Sequence, residues 1–185
     1  MKPTRTLSIV VLGEISVGKT SLIERYSNDC FSNFSKSSIN VEIIKKDIFM
    51  AGNDYSLMLY DTAGSERFRM VSKSWYARGD IILIVCDHKT TLKQIQDHIS
   101  FTEIFDAKIA FAFNKNDLGD PSIDIINEAR SCDRVVGIYR TSAKTGEKVD
   151  DLFVNLLLAH AKVFVEPMKE VDLPEVNKKS WWKCW

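Results

Sequence analysis

The chain lacks net charge: 25 Lys and Arg balance 25 Asp and Glu over 185 residues. Without an excess of either sign there is no global field to gather nucleic acid or an acidic substrate, so electrostatic recognition must be local. Cysteine is scarce, and Cys30, Cys86, Cys132 and Cys184 have neither metal-type spacing nor the look of a disulfide framework. That fits a reducing compartment, with Cys86, inside an apolar run, reading as a buried thiol. Long hydrophobic runs are missing as well. None approaches the length of a membrane-spanning helix, and the one in "MKPTRTLSIVVLGE" is too short for a signal peptide. There is no internal repeat. These absences leave a cytosolic single domain as the expectation, unless its end is anchored. The hydrophobic fraction of 45% and charged fraction of 27% are ordinary for a soluble globular protein.

What is present is an alternation. "LSIVVL" (7–12), "IILIVCD" (81–87) and "KIAFAF" (108–113) are continuous apolar runs, the pattern of strands buried on both faces. "VEIIKKDIFM" and "DYSLMLYD" are strand-like and flank "AGN", a plausible hairpin turn, and "RVVGIYRT" is a last strand. Helical spacing appears in "SLIERYSND", in "TLKQIQDHISFTEIF" through Leu92, Ile95, Ile99 and Phe105, and in "PSIDIINEARSC" behind Pro121-Ser122. It appears again in "GEKVDDLFVNLLLAHAKVF" through Val149, Leu152, Phe153, Leu156 and Leu157. Strand and helix alternate apart from one early hairpin. The expectation is an α/β fold: a mostly parallel six-stranded sheet, one antiparallel edge strand, and helices on both faces. Ligands of such sheets sit beyond the carboxyl ends of the strands.

The polar motifs fall at those ends. Gly13-x-x-x-x-Gly18-Lys19-Thr20 is a complete P-loop pattern between a strand and a helix. Its glycines let backbone N–H groups wrap phosphates, and the helix adds its positive end. Gly13, Ile15, Ser16, Val17, Gly18, Lys19, Thr20 and Ser21 are therefore candidate phosphate-binding positions. Lys19 suits β- and γ-phosphate oxygens, and the Thr20 hydroxyl suits Mg²⁺. Asp61 ends a strand and is suited to hold that magnesium through water. Read alone it is a turn or helix cap, but Thr62-Ala63-Gly64 follows it, and the Gly64 N–H can approach a γ-phosphate. Asn114-Lys115-x-Asp117 follows the strand "IAFAF". A carboxylate there can accept two hydrogen bonds from the ring N–H and amine of guanine, a pair that adenine lacks on that edge. Lys115 would lie along the base and Asn114 would tie loops together. Ser142-Ala143-Lys144 would complete the pocket with a backbone N–H and a lysine stem. Each motif alone could be a polar turn; the set in this order is very specific.

On these residues the chain resembles the Ras superfamily of small GTPases, and within it the Rab branch, over roughly residues 5–165. "GEISVGKTSLIERY", "DTAGSERF" and "TSAKTGEKVDDLF" are similar to Rab segments; "SKSWYARGD" is similar to a Rab stretch, with Arg78 and Gly79 shifted by one. The resemblance implies a P-loop small G-domain over 1–165 with GTP or GDP and Mg²⁺ as ligands, and the strand–helix pattern dissolves after it into a flexible tail over 166–185. It implies that Phe31 stacks beside guanine and that Ser38 stands for the switch threonine that ligates Mg²⁺ and senses the γ-phosphate. It also implies that exchange factor, activating protein and effectors read residues 30–41 and 63–77; the balanced charge leaves no nucleic acid among the expected partners. The catalytic candidates are Lys19, Ser38, Gly64 and Ser65.

Departures from the family bear on rate. Ser65 stands where the family usually has the glutamine that orients attacking water, and its side chain is about two bonds shorter. Ile15 stands where relatives carry Gly or Ser, facing the γ-phosphate and any partner's arginine finger. Glu66 is a poor substitute beside phosphates, since like charges repel. Slow hydrolysis is the expectation, and a GTP-holding interaction module with little catalysis is the alternative. An ATP-dependent P-loop enzyme is disfavoured by Asn114-Lys115-x-Asp117. Asn40 and Tyr60 replace a usual Rab glycine and tryptophan, and the stretch between Asp87 and Asn114 is short. The tail "NKKSWWKCW" lacks a C-a-a-X ending. Its Trp181, Trp182, Cys184 and Trp185 with Lys178, Lys179 and Lys183 suit either a membrane interface or a partner-binding peptide. A cytoplasmic protein, peripheral on endomembranes, is the expectation. His98 and His160 read as helical surface positions.

Overall fold

Six strands build one sheet in the order β2-β3-β1-β4-β5-β6. The computed structural model describes residues 5–32, 41–50, 52–62 and 74–161. Strand β1 (Arg5–Leu12) lies parallel to β3 (Asn53–Asp61) on one side and to β4 (Ile81–Cys86) on the other. Strands β5 (Lys108–Phe113) and β6 (Val135–Arg140) extend the parallel array, while β2 (Glu42–Met50) runs antiparallel to β3 at the far edge. All six residues of β4 are buried, as a strand covered on both faces requires.

The two-residue side-chain period of the strands sorts the core into two layers. Leu7, Ile9 and Val11 of β1 face a cluster with Leu22, Ile23 and Tyr26 of helix α1 (Lys19–Asn28). The same layer takes Val149, Leu152, Phe153, Leu156 and Leu157 of helix α4 (Val149–Ala161), the apolar face expected from the sequence. Val10 and Leu12 face the opposite layer, where Ile95 of α2 (Leu92–Thr102) and Ile125, Ile126 and Ala129 of α3 (Ile123–Arg130) pack. The edge strand is pinned to the first layer by Lys46. Its ammonium donates to the Tyr26 carbonyl at 2.7 Å and lies 3.9 Å from the centroid of the Tyr26 ring, which stacks on Phe153.

Three expectations shift in detail. The hairpin loop is shorter than "AGN", because pairing runs on to Met50 and Asn53; Gly52 takes φ +74°, a region that a residue without Cβ enters freely. Helix α2 begins at a capping box, with the Thr91 hydroxyl accepting from the Gln94 N–H, and ends at Thr102. Leu92 therefore faces solvent, whereas Phe105 reaches the core from the following loop. That loop closes around Arg134, whose guanidinium donates to the carbonyls of Thr102 and Phe105 at 3.0 and 3.1 Å. His98 is the third: it is buried at 1% exposure, not a surface residue. Its inward position follows from the stripe Ile95, His98 and Thr102 along α2.

Cys86 is fully buried, and desolvation pushes its thiol well above the usual range. Among the described residues no helix is long and apolar enough to cross a membrane. Ser38, Asn40, Ala63, Gly64, Ser65, Glu66 and the tail, with Trp181, Trp182, Cys184 and Trp185, lie outside the described residues.

Candidate functional site

The loop between β1 and α1 crosses the carboxyl edge of the sheet under tight constraint. Gly13 has φ +150° and Gly18, the N-cap of α1, has φ +95°. A Cβ at Gly13 would lie 2.3 Å from the Val85 carbonyl oxygen, and one at Gly18 would lie 2.4 Å from Nδ2 of Asn114. The glycines are thus demanded by the protein's own packing as well as by any ligand drawn against the backbone.

Lys19 opens α1 and is only 6% exposed. Its Nζ donates to the carbonyl oxygens of Gly13 at 3.0 Å and Glu14 at 2.8 Å, spanning the loop. Burial pulls its pKa down to about 8, against the opposing pull of the Asp61 and Glu14 carboxylates. Beside it the Thr20 hydroxyl donates to Asp61 Oδ2 at 2.6 Å, joining the start of α1 to the end of β3. Thr62 follows, its hydroxyl donating to the Val11 carbonyl at 2.5 Å and lying 3.1 Å from the Tyr76 hydroxyl. Ile15 stands 61% exposed on the loop.

A second polar corner forms beyond β5 and β6. Asn114 is buried and bridges two loops: its Nδ2 donates to the Val17 carbonyl at 3.0 Å, and its Oδ1 accepts from the Ala143 N–H at 2.9 Å. Lys115, at φ +62°, extends across the first loop, donating to the Ser16 carbonyl at 2.5 Å and to Asp87 at 2.9 Å. Burial opposes ionisation of Asp87, but the Lys115 ammonium and the Lys89 backbone N–H outweigh it and hold the carboxyl below its usual range. Asp117 accepts at Oδ1 from the Ser142 hydroxyl at 2.6 Å, and its Oδ2 lies 4.0 Å from the Lys144 ammonium. Phe31 is half-buried against the first core layer.

Gly13 through Ser21 therefore meet Asp61, and Asn114, Lys115 and Asp117 meet Ser142, Ala143 and Lys144, as convergence at strand ends requires. Several participants have no local signal in the sequence. Asp87 was visible only as the last residue of an apolar run, yet it fixes Lys115. His98 places Nε2 3.5 Å from a Glu14 carboxylate oxygen, joining α2 to the glycine loop. Arg25 reaches the loop after β6 from behind.

What converges in this molecule converges beyond the carboxyl ends of a mainly parallel sheet, around a glycine turn that opens a helix; this is a P-loop nucleotide-binding α/β domain. More narrowly, the model of the Ras family matches residues 8–162, and the chain belongs to that family. Membership makes it a small GTP-binding protein of a class whose general activity is GTP hydrolysis.

Proposed function

We propose that the chain is a Rab-like switch that binds GTP and GDP through the residues above, recruits effectors in membrane traffic, and hydrolyses GTP slowly. The observation that carries the guanine reading is the corner after β5, where Asp117 is fixed through one oxygen by Ser142. Guanine would pair its ring N–H and amine with that carboxylate, with Lys115 along the base plane, Phe31 beside it and the Ser142–Lys144 loop closing the pocket. Phosphates would be wrapped by the backbone of Gly13 through Gly18, including Ile15, Ser16 and Val17, ahead of Ser21 on α1. Lys19 would neutralise their charge.

The donor set fits magnesium: the Thr20 hydroxyl and Asp61 carboxylate, 2.6 Å apart, are hard oxygens of the kind Mg²⁺ prefers. Thr20 and Ser38 would hold the ion directly and Asp61 through water, and it would neutralise β- and γ-phosphate charge. Residues 30–41 and 63–77 would order on the γ-phosphate through Ser38 and Gly64, giving exchange factor, activating protein and effectors a surface to read.

Slow cleavage follows from two side chains. Serine at 65 is too short to orient water as glutamine does, and Ile15, exposed on the loop, would crowd the γ-phosphate with a branched group. Ser65→Gln is expected to raise single-turnover GTP cleavage about tenfold to a hundredfold. Rapid wild-type turnover, or no gain in the variant, sinks this reading of rate. The exposed Ile15 equally favours a second reading, a module held in the GTP state for its surface; steady-state turnover indistinguishable from zero selects it.

The G-domain would span 1–165, leaving 166–185 as a tail that associates peripherally with membrane through Trp181, Trp182, Cys184 and Trp185. Cosedimentation with anionic vesicles that survives deletion of residues 178–185 removes that part.

A further inference from the structure

We propose that Arg25 is the positioning residue that sets how fast guanine nucleotide is released, by stapling the two walls of the base pocket together from behind. This rests on the guanine reading above. Arg25 lies late in α1 with its side chain 17% exposed, and its guanidinium gathers three backbone carbonyls. Nε donates to Ala143 at 2.8 Å, Nη2 to Lys144 at 3.0 Å, and Nη1 to Asp29 at 2.9 Å. The first two belong to the loop after β6, and the third closes α1 directly ahead of Cys30 and Phe31.

A planar guanidinium spreads five donors over three nitrogens in a rigid fork, so each of the three carbonyls meets its own nitrogen, whereas an ammonium must gather all its partners around one atom. The geometry leaves the base loop held on both sides. Asn114 takes the Ala143 N–H on the side of the nucleotide motifs, while Arg25 takes the Ala143 carbonyl on the side of α1. For the base to leave, either the Ser142–Lys144 loop or the segment bearing Phe31 must move away. Either motion breaks hydrogen bonds to a charged donor, which are stronger than neutral ones. Because the same helix begins with Lys19 and Thr20, the staple also ties the base loop to the phosphate end through a rigid rod.

The exposed part of the contact is a different matter. Nη1 also meets Asp29 Oδ1 at 2.9 Å, but that carboxylate is 81% exposed, and ion pairs of this kind contribute little. The carbonyls, which no side-chain change at Asp29 removes, carry the effect. Asp29 has φ +51°, a conformation that asparagine tolerates, so Asp29→Asn removes the charge without strain.

The test is the release rate of a fluorescent GDP analogue from the full chain, with single-turnover cleavage of prebound GTP measured in parallel. Arg25→Ala is expected to speed release about tenfold or more with cleavage unchanged, and Arg25→Lys to recover only part of the slow rate. Asp29→Asn stays within about twofold of wild type. Release from Arg25→Ala, or from Arg25→Lys should the alanine variant not fold, at the wild-type rate overturns the proposal. So does a matching fall in cleavage, which would make Arg25 a general prop of the fold. Failure of the wild-type chain to bind any guanine nucleotide defeats the parent reading instead.

Discussion

Asp117→Ala is expected to lower GTP affinity about a hundredfold to a thousandfold while leaving ATP affinity unchanged, so that discrimination between the bases collapses. The size follows from what the carboxylate offers. It would accept two hydrogen bonds from groups that guanine presents together, and a site built around such a pair rejects a base that leaves it unpaired. The substitution is clean because the surroundings have other support. Ser142 loses Asp117 as its acceptor, but its oxygen still receives the Thr145 N–H at 3.1 Å, and Gly146 donates to its carbonyl at 2.8 Å. Stability of the nucleotide-free variant should therefore fall by only about 1 kcal/mol. Competition binding with GTP and ATP, alongside urea unfolding, reads both numbers. A variant that keeps full preference for GTP defeats the guanine assignment outright.

The sheet was legible because its physics is local. A strand covered on both faces must be apolar at every position, so "IILIVC" announced itself, and so did the acidic or amide residue where each run leaves the core. The convergence of the two polar corners was legible for a related reason, since glycines, a lysine and carboxylates at fixed spacing behind strands are placed at the same sheet edge by the fold. Arg25 was not. Its acceptors are backbone carbonyls, which every residue carries, so no pattern of side chains marks where a guanidinium will find three of them. His98 failed differently. The helix was found from its apolar spacing, but its inward stripe is turned by a capping box that leaves Leu92 outside, and an imidazole in that stripe looks polar until Glu14 is beside it. Long-range partners of charged side chains are set by tertiary approach, and local periodicity holds no trace of them.

Lys19→Met is expected to abolish measurable nucleotide binding, a loss of about a thousandfold or more, and yet to stabilise the nucleotide-free chain. The two effects have one cause. The ammonium is buried over a loop that offers it, among the described residues, two carbonyl oxygens, those of Gly13 and Glu14, with the Asp61 and Glu14 carboxylates giving partial relief. Burial wins, and the pKa drops from 10.5 to about 8. A depression of that size corresponds to about 3 kcal/mol at neutral pH, offset in part by the two hydrogen bonds, so the methionine variant should gain about 1–3 kcal/mol. The sign of the pH dependence follows. Between pH 8 and 10.5 the unfolded chain keeps the Lys19 proton that the folded chain has lost. Stability of the wild-type, nucleotide-free protein therefore rises with pH through that window through this group, and the variant lacks the rise. Urea unfolding of both proteins in EDTA, at neutral pH and near about pH 9.5, isolates the difference. Phosphate oxygens arriving over the loop would restore a full partner to the charge, so a residue whose burial costs stability would be the one the ligand most needs. A methionine variant that binds GTP within tenfold of wild type, or that is less stable at neutral pH, breaks the link between the two halves of the prediction.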